Sequence, residues 1–151
     1  MSLENLYREV IIDHYRNPRN TTPLTDPDGS AEGVNPLCGD EITVQIRFRD
    51  DVIEEISVHG TGCSISQASA SMMSLAVKGK TREEIKQITR SFKQLLDVDS
   101  EETPNDIPPD SRLGELEALS GVREYPVRIK CATLAWNTLA EALEASEVPE
   151  P

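Results

Sequence analysis

Leu3, Leu6, Tyr7, Val10, Ile11, His14 and Tyr15 recur at helical spacing along the first stretch of the chain, which predicts an amphipathic helix with a broad apolar stripe. Pro18 ends it just past Asn17. Residues 19–36 hold Pro23, Pro27, Pro36, Gly29 and Gly33 and read as a loop. Ile42, Val44, Ile46 and Phe48 then alternate with Thr43, Gln45, Arg47 and Arg49, the pattern of a half-buried strand. Asp50-Asp51 supplies a turn, and Ile56 and Val58 continue on a second strand, so the two form an antiparallel hairpin.

Gly60-Thr61-Gly62-Cys63 interrupts that strand. Beyond it Ile65, Ala68, Ser69, Met72 and Ala76 show helical spacing, and Ser64, Ser66, Ala68, Ser69, Ala70 and Ser71 are small enough to let the helix approach a sheet closely. Gly79 lies past its end. Thr81 and Glu84 form a T-x-x-E capping box opening a helix that carries Ile85, Ile88, Phe92, Leu95 and Leu96. Residues 97–112 are acidic and proline-rich and read as an exposed insertion loop. Leu113, Leu116 and Leu119 suggest a short helix closed by Gly121, and Cys131, Leu134, Ala135, Thr138, Leu139, Ala142 and Leu143 share one stripe of a final helix. The chain should fray from Glu147 onward. This order predicts an α+β fold, a small antiparallel β-sheet of about three strands with helices packed on one face. The 151 residues are expected to form a single domain, 1–151.

The hydrophobic fraction is 37% and the charged fraction 28%, which fits a globular protein rather than a disordered one. A net charge of −12 without a basic stripe argues against nucleic acid as a partner. There is no long apolar run, so no membrane span is expected, and Met1-Ser2-Leu3-Glu4 lacks the features of a secretory signal. The expected compartment is therefore the cytoplasm, where thiols stay reduced. In that setting the three cysteines, an odd number, favour metal binding or thiol chemistry over disulfides.

Cys38, Cys63 and Cys131 each lie beside a glycine or a predicted helix start, and Asp40 follows Cys38 by two residues. Side chains two apart on a strand share a face, and Gly39 between them would let a further group come close. Cys63 precedes a helix, where backbone amides and the positive dipole end favour a thiolate; Arg128 and Lys130 are near Cys131 in sequence and favour its thiolate too. No pair has the two-residue gap of a zinc knuckle, and any one of these cysteines alone could be a small buried hydrophobe. Taken as a shared site, three thiolates and a carboxylate fit tetrahedral zinc, while thiolates also suit iron–sulfur clusters. His59, near Cys63, is an alternative ligand; His14, Met72, Met73 and Trp136 are expected to be packing residues.

At these positions the chain resembles the IscU/NifU amino-terminal family of iron–sulfur cluster assembly proteins, and within it the SufU branch. The resemblance is carried by residues 6–20, by Asn35-Pro36-Leu37-Cys38-Gly39-Asp40, by Gly60-Thr61-Gly62-Cys63-Ser64-Ile65-Ser66 and by residues 125–136. Lys130 stands where IscU proper has a histidine. Glu124-Tyr125-Pro126-Val127-Arg128 stands where IscU has its Leu-Pro-Pro-Val-Lys segment, and the acidic stretch is similar to a SufU insertion. The resemblance implies a zinc-dependent, sulfurtransferase-like acceptor taking persulfide sulfur from a pyridoxal-phosphate cysteine desulfurase of SufS type and serving downstream cluster assembly proteins. It implies a zinc site of Cys38, Asp40, Cys63 and Cys131. Cys38 is then the sulfur acceptor that must leave the metal, and Arg128 supports docking or the thiolates. The alternative within the family is a scaffold on which an iron–sulfur cluster is assembled and passed to apo-proteins; a purely structural zinc would use the same ligands.

Overall fold

The computed structural model describes residues 3–36, 39–96, 116, 118, 119, 122 and 125–147. The predicted insertion loop at 97–112, Leu113, Gly121 and the last four residues lie outside the described residues. The elements run α1 (Leu3–Arg16), β1 (Gly29–Asn35), β2 (Asp40–Arg49), β3 (Val52–Thr61), α2 (Ser64–Val77), α3 (Arg82–Leu95) and α4 (Pro126–Glu147). Strand order is β1-β2-β3, all antiparallel. The predicted α+β architecture with about three strands is what forms.

The β2–β3 hairpin obeys its sequence pattern. Ile42, Val44 and Ile46 of β2 and Ile56 and Val58 of β3 are buried on one face, while Arg47 and Glu55 pair across the other. Asp50 and Asp51 both take positive φ, 52° and 68°, the twist a two-residue hairpin turn requires. The buried face carries α2 and α4, whose Ala68, Met72, Met73, Ala135, Trp136 and Leu139 complete the core. Trp136 stacks on Phe92 of α3 with ring centroids 4.8 Å apart, and its indole N–H donates to Ser69 Oγ at 3.2 Å. Ser69 Oγ in turn donates to the Ala132 carbonyl at 2.6 Å. The small residues of α2 thus bring it against α4 closely enough for a side chain to reach a helix backbone.

One expectation is corrected. Residues 19–28 are irregular, but 29–35 are not loop: they form edge strand β1, in register with β2 from Gly29↔Ile46 to Asn35↔Asp40. The strand is built for close contact with α4. A Cβ at Gly29 would sit 2.2 Å from the Ala142 carbonyl oxygen, and one at Gly33 would sit 2.1 Å from Thr138 Oγ1. Two glycines that read as loop punctuation are instead the clearance of a strand–helix seam.

Several local expectations hold. Thr81 and Glu84 make both halves of the capping box at α3, with Ile85, Ile88 and Phe92 buried behind it. Leu116 and Leu119 are buried in 3-10 turns. His14 is buried with Nδ1 2.8 Å from Ser71 Oγ, as expected of a packed, satisfied residue. Tyr15, placed on the apolar stripe of α1, is instead 48% exposed. Among the described residues no helix is long and apolar enough to cross a membrane.

Candidate metal centre

Three of the four predicted donors converge where the starts of β2, α2 and α4 meet. Asp40 opens β2, Cys63 is the N-cap of α2, and Cys131 lies in the second turn of α4. Their ligand atoms lie within 4.8 Å of one another, close to the ~4.6 Å that two metal–sulfur bonds of about 2.3 Å can span. Cys38 lies outside the described residues.

Asp40 is fully buried. Its Oδ1 accepts the backbone N–H of Cys63 at 2.8 Å, whereas Oδ2 is buried with no hydrogen-bond partner among the described residues. A buried carboxylate oxygen without a donor is costly unless a ligand satisfies it. Cys63 occupies an N-cap position, normally held by Ser, Thr, Asp or Asn, yet its sulfur makes no capping hydrogen bond. That sulfur is consequently available to the site. Cys131 is buried beside it. Two thiolates and an unsatisfied carboxylate oxygen are the donor set of a zinc or iron site, so the residues present fit a metal.

The approach of Asp40 to Cys63 depends on Gly62. A Cβ there would meet Asp40 Oδ1 at 2.4 Å and Ser66 Oγ at 2.7 Å. A Cβ on Gly39 would meet nothing within 4 Å among the described residues, and its φ is +69°. Glycine is therefore suited to the turn into β2 as well.

Arg128, one turn before Cys131 on α4, is exposed, yet its guanidinium reaches the donors. The neighbouring Cys63 and then Cys131 sulfurs raise its pKa above the ordinary arginine value. Lys130 is also exposed and makes no described hydrogen bond or ion pair with the donors. His59 lies 3.1 Å from Ser57 Oγ through Nδ1 and is not among the converging ligands. Sequence reasoning missed Asn35 as a site residue. This last residue of β1 is buried and donates from Nδ2 to Cys131 Sγ at 3.7 Å. Nothing in a lone asparagine beside a proline signals that contact.

Positions 6–145 match the family described as NifU-like N terminal domain. Over 146 residues the chain is 41% identical to the zinc-dependent sulfurtransferase SufU of Bacillus subtilis (strain 168), spanning 97% of this chain and 95% of that one. It is 42% identical over 144 residues to the iron-sulfur cluster assembly scaffold protein IscU of Streptococcus pyogenes serotype M1, spanning 95% and 86% of the two chains. Among solved structures, the N-terminal NifU-like protein from Brucella abortus superposes with a TM-score of 0.81 at 25% identity, covering 96% of each chain. The SUF-system scaffold protein of Fervidobacterium islandicum AW-1 gives 0.78 at 30% identity, covering 94% of this chain and 99% of that one.

Proposed function

Because this chain belongs to the NifU-like N-terminal domain family, we propose that it is a zinc-dependent sulfur acceptor of iron–sulfur cluster assembly, taking persulfide sulfur from a cysteine desulfurase. The observation that carries this reading is the convergence of Cys63, Cys131 and buried Asp40, whose Oδ2 has no hydrogen-bond partner among the described residues. Cys38 is the proposed acceptor. Two peptide units separate it from Asp40, so chain connectivity alone keeps its Cα within about 7.6 Å of that of Asp40.

Cys63, Cys131 and Asp40, with Cys38, would hold the zinc, which would supply a Lewis-acidic centre that keeps cysteine ligands deprotonated at neutral pH. The remaining chemistry belongs to the chain. The Cys38 thiolate attacks the outer sulfur of the desulfurase's cysteine persulfide. A new S–S bond forms on Cys38 as the partner's S–S bond breaks, and the electron pair leaves with the desulfurase cysteine as a thiolate. No external oxidant or reductant enters. Asp40 holds the start of α2 through the Cys63 N–H, and Arg128 balances the negative charge of the sulfurs.

The partner is proposed to be a pyridoxal-phosphate desulfurase of SufS type, with downstream assembly proteins receiving the sulfur. Val34, Tyr125 and Val127, 60%, 61% and 55% exposed, neighbour Asn35 and Arg128 in sequence and would offer the apolar contact such docking needs. Free thiols as reactants suit the cytoplasm. The second reading, a scaffold that builds a cluster, is favoured by the likeness to the Streptococcus pyogenes IscU and by thiolate donors that also suit iron.

Metal analysis of the purified protein and desulfurase turnover, with and without it, test the choice. Stimulation by the wild type, loss of it in Cys38→Ala and a persulfide on Cys38 by mass spectrometry support sulfur transfer. Equal turnover with wild type and Cys38→Ala refutes it, and a coloured cluster formed on anaerobic reconstitution favours the scaffold.

A further inference from the structure

β1 ends on Asn35, which is only 6% exposed although its strand is at the sheet edge. In register it stands opposite Asp40, so Asn35 and Asp40 flank the base of the connection that contains Cys38. Its carboxamide does not turn to solvent. Nδ2 donates instead to Cys131 Sγ at 3.7 Å, across 96 residues of sequence. The same sulfur meets the guanidinium of exposed Arg128 and lies 3.8 Å from the Val127 carbonyl oxygen. Cys131 is therefore gripped from its own helix and from the sheet.

The geometry points to Asn35 as a positioning residue that makes Cys131 the retained, poorly nucleophilic thiolate of the donor set, leaving sulfur acceptance to another cysteine. This inference rests on the metal-site reading above. An N–H donated to a thiolate withdraws electron density from the sulfur lone pairs. The sulfur remains a metal ligand but attacks a persulfide less readily. The same hydrogen bond fixes the side-chain rotamer, which is how groups behind a ligand orient it. A buried donor on an edge strand, reaching a sulfur from another element, links strand β1 to the ligand of α4 directly.

The test uses the full chain with Co2+ in place of zinc, prepared anaerobically. The thiolate-to-cobalt charge-transfer band and the zinc affinity, by chelator competition, are recorded for wild type, Asn35→Ala and the similarly sized Asn35→Leu. Loss of the N–H donor should move the band to longer wavelength in both variants. Zinc should be held about 10- to 100-fold more weakly. Melting of the metal-free proteins reads the fold separately. A band that does not move in the folded variants overturns the assignment even if affinity falls, because lost packing weakens binding without changing the electronic state of sulfur. If Asn35→Ala does not fold, Asn35→Leu decides by the same band. A wild type that gives no thiolate-to-cobalt band defeats the metal-site reading and Asn35's role with it, whereas a wild-type band with unaltered variants defeats only the latter.

Discussion

Replacing Gly62 with alanine tests whether one backbone clearance holds the centre together. The new Cβ would sit 2.4 Å from Asp40 Oδ1, a separation that real Cβ atoms do not adopt, so the oxygen must retreat by about 0.6 Å or more. That oxygen accepts the Cys63 N–H at 2.8 Å. The retreat carries the bond to the edge of hydrogen-bond range. A hydrogen bond to an ionised group contributes about 1.5–3 kcal/mol, so the expected penalty is roughly 10- to 150-fold in an equilibrium that requires the native site. Ser66 Oγ, 2.7 Å from the same Cβ, can rotate away and adds less. The assay pairs urea denaturation of the metal-free protein with zinc retention against a chelator. Gly79→Ala is the control, since its Cβ meets nothing within 4 Å among the described residues but its φ is +81°. It should cost about 1–2 kcal/mol in stability and leave zinc retention unchanged. If Gly62→Ala retains zinc as wild type does, Asp40 is not held by the contact described and the reasoning fails.

Thr81→Ala removes the side-chain arm of the α3 capping box, the Oγ1 that accepts the Glu84 N–H, and leaves the backbone N–H that donates to the Glu84 carboxylate; it should lower stability by about 1 kcal/mol in urea titration without altering zinc content. The Asp13 carboxyl is held below its ordinary 3.8, first by the hydrogen bond from Arg19 and then by that from Asn17. A lowered carboxylate pKa stabilises the fold above 3.8, and that contribution is lost as pH falls through the lowered value. Asp13→Asn should therefore flatten the acid limb of stability against pH, read by denaturation at several pH values; an unchanged limb counts against the Asp13–Arg19 tether.

The elements that were legible in sequence are those whose signals are local. Ile42, Val44 and Ile46 alternate because only one face of β2 meets the core, and Thr81 with Glu84 caps a helix through groups three residues apart. Strand β1 was not legible because Gly29 and Gly33 weaken any strand propensity. Their reason is the surface of α4, more than 100 residues later, where Thr138 and Ala142 leave room for hydrogen alone. The donors show the same division. Cys63 and Asp40 could be chosen from their positions at element starts and from family resemblance, and they do meet Cys131. Asn35 could not, since its role exists only where the end of an edge strand reaches the second turn of α4. Tyr15 erred the other way: helical spacing put it on the stripe of α1, but the elements packed against that helix do not extend over it.

The glycine seam between β1 and α4 sets more than packing. Thr138, which rests against Gly33, is seven residues beyond Cys131 on one continuous helix, about 10 Å along its axis. The height of α4 above the sheet, fixed at that seam, fixes how far the Cys131 sulfur stands from Asp40 and Cys63. A methyl group added at position 33 would press on the Thr138 side chain and push α4 away from the sheet, shifting the Cys131 sulfur without touching any of the three donors. The spacing of the donors is thus set partly by two glycines that lie outside the group.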